Sequence, residues 1–128
     1  MPMTQNALRV LVLVPALLFI VTGVRWLIAP AGVAPMLGLT LEEGIGLSSQ
    51  VGDLAGFFLT LGACMLIALI SGHRLWYYPA IMLLAFAAVG RVLAWLLHDA
   101  ALALQLIAPE VIIALLLLVA ARYLPEAD

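Results

Sequence analysis

The chain has 128 residues, of which 67% are hydrophobic and 9% are charged, and its formal net charge at pH 7 is −2. Soluble domains devote about a quarter of their residues to charged side chains, so this composition predicts an integral membrane protein. The basic residues are five scattered arginines and no lysine, which excludes the basic surface that a nucleic-acid partner requires.

Four apolar runs divide the chain. A bilayer core about 30 Å thick is crossed by a helix of about 20 apolar residues, and each run has about that length. The sequence therefore predicts an all-α fold, an up-and-down integral membrane four-helix bundle that forms one domain over residues 1–128. The expected spans are residues 7–28, 51–70, 75–97 and 101–123.

The first span carries a charge, Arg25, near its end, and a long connection from Ala29 to Gln50 follows it. This connection combines prolines and glycines with the acidic pair Glu42 and Glu43 and with several large apolar side chains. The mixture favours an interfacial or re-entrant segment in the headgroup layer over a plain flexible loop.

The second span opens with Gly52 and Asp53, and the spacing Gly52-x-x-x-Gly56 allows another helix to approach its backbone closely. The turns at residues 71–74 and 98–100 are too short for anything but antiparallel neighbours. The second, third and fourth spans are therefore expected to alternate in direction.

The third and fourth spans each contain one deep charge. Arg91 lies in the third span, and His98 follows two turns later on the same face, where it is a candidate proton carrier. Glu110 lies in the fourth span directly after Pro109, which has no amide hydrogen and leaves the carbonyl of Gln105 without its usual helical partner.

The arginines near the ends of the spans and in the turn between the second and third spans indicate the orientation. Arg9, Arg74 and Arg122 fall on one side of the expected bundle, whereas the loop carboxylates fall on the other. The positive-inside rule then places both termini in the cytoplasm.

Once the charged residues that flank the span ends near the termini are set aside, four ionisable residues remain inside the spans, one on each helix, and all lie in the half away from the termini: Arg25, Asp53, Arg91 and Glu110. A charge in hydrocarbon costs at least about 2.5 kcal/mol, so each needs a partner or a wet cavity. We therefore expect one buried cluster in which two guanidinium groups face two carboxylates. Two interpretations stay open, a clamp that fixes helix register and a polar cavity that grips a lipophilic molecule or an anionic headgroup.

The order of several short motifs resembles the small bacterial four-helix proteins of the DoxX-like superfamily, among them a domain of unknown function. The motifs are Gly23-x-Arg25-x-x-x-x-Pro30, Gly52-Asp53-x-x-Gly56-Phe57-Phe58, Leu61-Gly62, Gly90-Arg91 and Glu110. The resemblance implies a four-helix bundle in the bacterial inner membrane. Better-known members are regarded as accessory subunits linked to quinone, thiol or oxidative-stress chemistry. With Cys64 as its one cysteine, this chain departs from a thiol-based role.

The favoured function is an accessory or binding protein whose cavity, with Arg25, Asp53, Arg91, Glu110 and His98 as candidate site residues, holds a small amphiphile such as a quinone or seats a partner. One alternative is an isomerase-type membrane enzyme in which Glu110 or Asp53 transfers a proton, although a neighbouring guanidinium favours the ionised carboxylate. Another is an oligomeric pore or transporter. Membrane lipid and further copies of the chain are the expected partners, since small-residue stripes offer packing surfaces, and no metal or cofactor is predicted.

Overall fold

In the computed structural model, residues 2–127 are described, with side chains from residue 4. Every regular element in this range is helical, which confirms the all-α four-helix class. The long helices are α1 (Pro2–Ile28), α3 (Ile45–Ser71), α4 (Tyr77–His98) and α5 (Leu104–Tyr123), and the short ones are α2 (Pro30–Val33) and the 3₁₀ turns Ala34–Leu37 and Arg74–Trp76.

The four long helices are long and apolar enough to cross a membrane. The two largest differences from the expected spans lie at the starts of α1 and α3, which begin five and six residues early, at Pro2 and Ile45. Hydropathy marks the part of a helix that lies in hydrocarbon, whereas backbone hydrogen bonding continues the helix into the more polar layer beyond it.

The chain reverses at two residues with left-handed backbone. Gly72 (φ 72°) follows α3 and donates its N–H to the carbonyl of Ala68, and Asp99 (φ 56°) follows α4 and donates to Ala94. Both are helix C-terminal caps of the left-handed kind, a position at which glycine carries no steric cost. The short turns make α3, α4 and α5 antiparallel neighbours, as expected.

Two glycines bring α1 and α3 into close contact. A Cβ on Gly23 would lie 2.6 Å from the Leu59 side chain, and a Cβ on Gly62 would lie 2.7 Å from the backbone oxygen of Ala16. The backbones can approach this closely only because both positions lack a side chain. The antiparallel pair α4 and α5 completes the bundle, and a core of buried side chains that includes Val12, Leu61, Met65, Leu84 and Leu117 fills its interior.

The long connection is a folded cap over the end of the bundle away from the termini. Val33 and Ala34 are buried against Trp26 of α1 and Ala55 of α3. Further along, the Gln50 side chain accepts a hydrogen bond from the Glu42 backbone N–H and donates one to the Thr40 carbonyl. Residues 29–44, called the cap below, are thus packed and hydrogen-bonded rather than a plain loop.

At the opposite end, the C-terminal residues fold back onto the turn between α3 and α4. The Ala127 N–H donates to the Gly72 carbonyl, and Glu126 forms an ion pair with Arg74, with 3.0 Å between Oε2 and Nε. The pKa of Glu126 lies below its ordinary value, because the backbone N–H and then the guanidinium of Arg74 donate to its carboxylate. This small tail was not anticipated from the sequence.

Candidate functional site

The predicted contact between the two deepest charges is present. The Arg91 Nε of α4 donates to the Glu110 Oε1 of α5 at 3.0 Å, and the two side chains are 32% and 12% exposed. Both side chains lie on the inner faces of their helices: Arg91 is three and seven residues after buried Ala88 and Leu84, and Glu110 precedes buried Ala114 by four. Residues at these spacings share one helix face.

The ion pair forms part of the wall of a cleft of about 380 Å³ between the four long helices and the cap. Ten of the twelve described lining residues are apolar, and the other two are the ion-paired residues. The lining comprises Phe19, Leu37, Leu54, Phe57, Phe58, Leu84, Ala87, Arg91, Leu106, Pro109, Glu110 and Ile113.

Three phenylalanines form an aromatic wall in this cleft. Phe58 stacks with Phe19 of α1, with 6.0 Å between ring centroids, and meets Phe57 edge to face at 5.1 Å. Both are geometries that aromatic pairs prefer. Sequence reasoning used Phe57 and Phe58 as part of a motif but missed them as lining residues. The sequence did contain a signal: Phe57 and Phe58 lie at the depth of Arg91, in a chain with four phenylalanines in all.

Arg25 does not join the pair. Its side chain is exposed, and its guanidinium donates to the Gly32 carbonyl at 3.1 Å and lies 3.7 Å from the Met36 sulfur. Arg25 thus ties the cap to the end of α1.

Asp53 also lies elsewhere, exposed on α3, and makes no ion pair or side-chain hydrogen bond within residues 2–127. The expectation of one cluster of four charges is therefore wrong, and the described part of the chain has a single pair at this depth. Arg25 is held by the cap through the Gly32 carbonyl, and Asp53 lies at an exposed position of α3 outside the cleft lining, so neither side chain reaches Arg91 or Glu110.

His98 is exposed in the last turn of α4 and is not a lining residue of the cleft. It lies two turns beyond Arg91, toward the end of the bundle that carries the cap, and its role as a proton carrier stays a prediction. Among the residues described, no group of three His, Cys, Asp or Glu side chains is placed to hold a metal ion.

The site can bind an apolar chain and orient one polar group. The Arg91 Nε donates its hydrogen bond to Glu110, whereas the terminal guanidinium nitrogens of Arg91 have no hydrogen-bond partner within residues 2–127. A guanidinium carries five N–H donors in a planar fork, so Arg91 presents unused donors at the wall of an otherwise apolar space.

Comparison with protein-family models, curated proteins and solved structures finds no match to this chain. The fold itself defines the class. This is a multi-pass membrane protein built on four apolar helices, with one ion pair beside an apolar cleft.

Proposed function

We propose that the protein is a small membrane binding protein whose cleft holds the chain of a lipophilic molecule, with the polar end of that molecule at Arg91 and Glu110. The observation that carries the proposal is the cleft itself. Its volume of about 380 Å³ falls in the range of small-molecule sites, which are mostly apolar with a few placed polar groups. A clamp that only fixed helix register would not need this space beside it.

Each part of the wall has a distinct role in this proposal. The aromatic wall contacts the apolar chain, and Leu37 extends the contact from the cap. Arg91 donates hydrogen bonds to the polar end, and Glu110 holds the guanidinium in place. Arg25 acts indirectly, because its bond to Gly32 positions the cap that carries Leu37.

The test is to fill the cleft without touching the ion pair. Ala87 lines the cleft, whereas Ala85 is exposed on the same helix, so Ala87→Leu has a matched control in Ala85→Leu. We expect native mass spectrometry of gently extracted protein to show a bound lipophilic molecule on the wild type and on Ala85→Leu, and little on Ala87→Leu. Equal occupancy in both variants would contradict the proposal.

The other functions draw less support from the arrangement. Asp53 lies outside the cleft, and the Glu110 carboxylate is already engaged by Arg91, so no carboxylate without a partner lines the cleft among the described residues. A pore through one chain would have to pass the buried core that fills the other half of the bundle. The resemblance to DoxX-like proteins remains a prediction, and the proposal rests on the cleft alone.

We also propose a bacterial inner-membrane location with both termini in the cytoplasm. Arg9 and Arg74 lie together at the end that holds the C-terminal tail, and Arg122 is in the last turn of α5 at the same end. The cap carries Glu42 and Glu43 at the other end. This distribution of arginines is the one that the positive-inside rule associates with the cytoplasmic side.

Self-association is proposed through the outer face of α3. Gly52 and Gly56 are exposed, and a Cβ on either would have nothing within 4 Å, so packing inside one chain does not explain them. Asp53 on this face needs a partner in the membrane. Arg25, about one helical turn away in depth on α1, offers the opposite charge from a second copy, so we expect paired copies to join Asp53 to Arg25 across their interface.

A further inference from the structure

The geometry of the Arg91–Glu110 pair points to the chemical class of the ligand. We propose that the cleft selects an amphiphile with an uncharged head that accepts hydrogen bonds, such as an ester or a ketone, over one with a carboxylate head. This inference rests on the proposed function of the cleft and adds the chemistry of the head.

The first step is the hydrogen-bonding capacity of the pair. Glu110 uses one oxygen to hold the Arg91 Nε, and an ionised carboxylate can only accept. The group free to contact a ligand head is therefore the outer edge of the guanidinium, whose N–H groups all donate. A carbonyl or ester oxygen satisfies such donors, whereas a purely apolar head would leave them unpaired and is disfavoured.

The second step is the charge balance of the cleft. Arg91 and Glu110 are the two charged residues among the described lining, and their formal charges cancel. Arg25, the next arginine on this side of the bundle, bonds to the cap instead. A carboxylate head would thus bring an uncompensated negative charge into a mostly apolar space and set it near Glu110.

Burying a charge is costly unless it is paired, and here the guanidinium is already paired. An uncharged acceptor oxygen can accept hydrogen bonds from the same guanidinium N–H groups without that cost. The wild-type site therefore favours the neutral head, and removing the negative charge of Glu110 should reverse the preference.

The experiment compares two probes that differ only in the head, dibromostearic acid and its methyl ester, in lipid nanodiscs at alkaline pH where the acid is ionised. Bromine on the chain quenches tryptophan fluorescence on contact, so the reporter is Phe58→Trp at the cleft wall. The control reporter is Phe86→Trp, which is 71% exposed on the outside of α4 and senses probe dissolved in the bilayer. Both are made with Trp76 and Trp95 replaced by Phe, and the fully buried Trp26 is common to both.

We expect the methyl ester to quench Phe58→Trp in excess of Phe86→Trp, with an apparent affinity at least about tenfold higher than that of the acid. In the Glu110→Gln background, the acid should become the tighter ligand, a reversal that a loss of stability alone would not produce. Binding of the acid as tight as that of the ester in the wild-type cleft would overturn this inference and leave the proposed function standing. If neither probe quenches Phe58→Trp beyond Phe86→Trp, the proposed function itself fails.

Discussion

Replacing the ion pair with apolar residues separates its structural role from its binding role. At 3.0 Å between Nε and Oε1, the Coulomb attraction is about 5 kcal/mol at an effective dielectric constant of about 20, and the partial exposure of Arg91 reduces it. Arg91→Met alone leaves the mostly buried Glu110 carboxylate unpaired. Glu110→Leu alone leaves the Arg91 guanidinium unpaired. We expect each single variant to lose about 2–4 kcal/mol of unfolding free energy.

The double variant Arg91→Met/Glu110→Leu should behave differently. It leaves no unpaired charge, and apolar replacement of a buried pair is often neutral or stabilising, so we expect stability within about 1 kcal/mol of the wild type. The assay is reversible unfolding in mixed micelles, followed by circular dichroism as the fraction of denaturing detergent rises. Arg122→Met is the control, because that guanidinium is exposed in the last turn of α5 and forms no ion pair with a described carboxylate, and its loss should cost under about 1 kcal/mol.

Two results would refute the reasoning. If the double variant loses as much stability as the two single variants together, Arg91 and Glu110 do not stabilise each other and do not act as an ion pair. If the double variant is folded and still binds the methyl ester as the wild type does, the pair is a clamp and has no part in binding.

Three further predictions concern other parts of the molecule. The folded-state pKa of Glu126 is lowered, so its contribution to holding the tail is present at neutral pH and is lost as the pH falls below the ordinary value of 4.5. The protection of the Ala127 amide, meaning its hydrogen-exchange rate relative to that of an unfolded peptide at the same pH, should therefore fall in acid, and Glu126→Gln should show the reduced protection already at pH 7. Gly62→Ala places a Cβ 2.7 Å from a backbone oxygen and should lower the unfolding free energy by at least about 2 kcal/mol. Gly90→Ala, whose Cβ would have nothing within 4 Å, should leave it unchanged or raise it slightly in the same unfolding assay. Gly56→Ile should lower energy transfer between labelled copies in liposomes at an unchanged unfolding free energy, and unchanged transfer would argue against the α3 face as the interface.

The residues of the ion pair show how far pattern reasoning reaches. Depth along a helix follows from counting residues, and it correctly placed Arg91 and Glu110 opposite each other. Counting residues also placed Arg25 and Asp53 at a similar depth. Because the formal charges of the four residues sum to zero, one cluster of all four was expected. Depth does not show which face of its helix a residue occupies. That face is identified by the buried residues around it, and these are known only once the helices have packed.

The sequence by itself determined the class of molecule: so few charges and four long apolar runs leave a membrane-spanning helical bundle as the stable solution, because backbone polar groups in lipid must be satisfied within each helix. Tertiary structure alone decided the rest. The approach of α1 to α3 at Gly23 and Gly62 fixes how these two helices meet, and Asp53 is left exposed on α3. Arg91 and Glu110 meet because the helices α4 and α5 pack together on the faces that carry them. The cleft exists because side chains from four helices and the cap fail to fill one part of the bundle, and such a gap depends on packing between segments far apart in the chain, which no local pattern records.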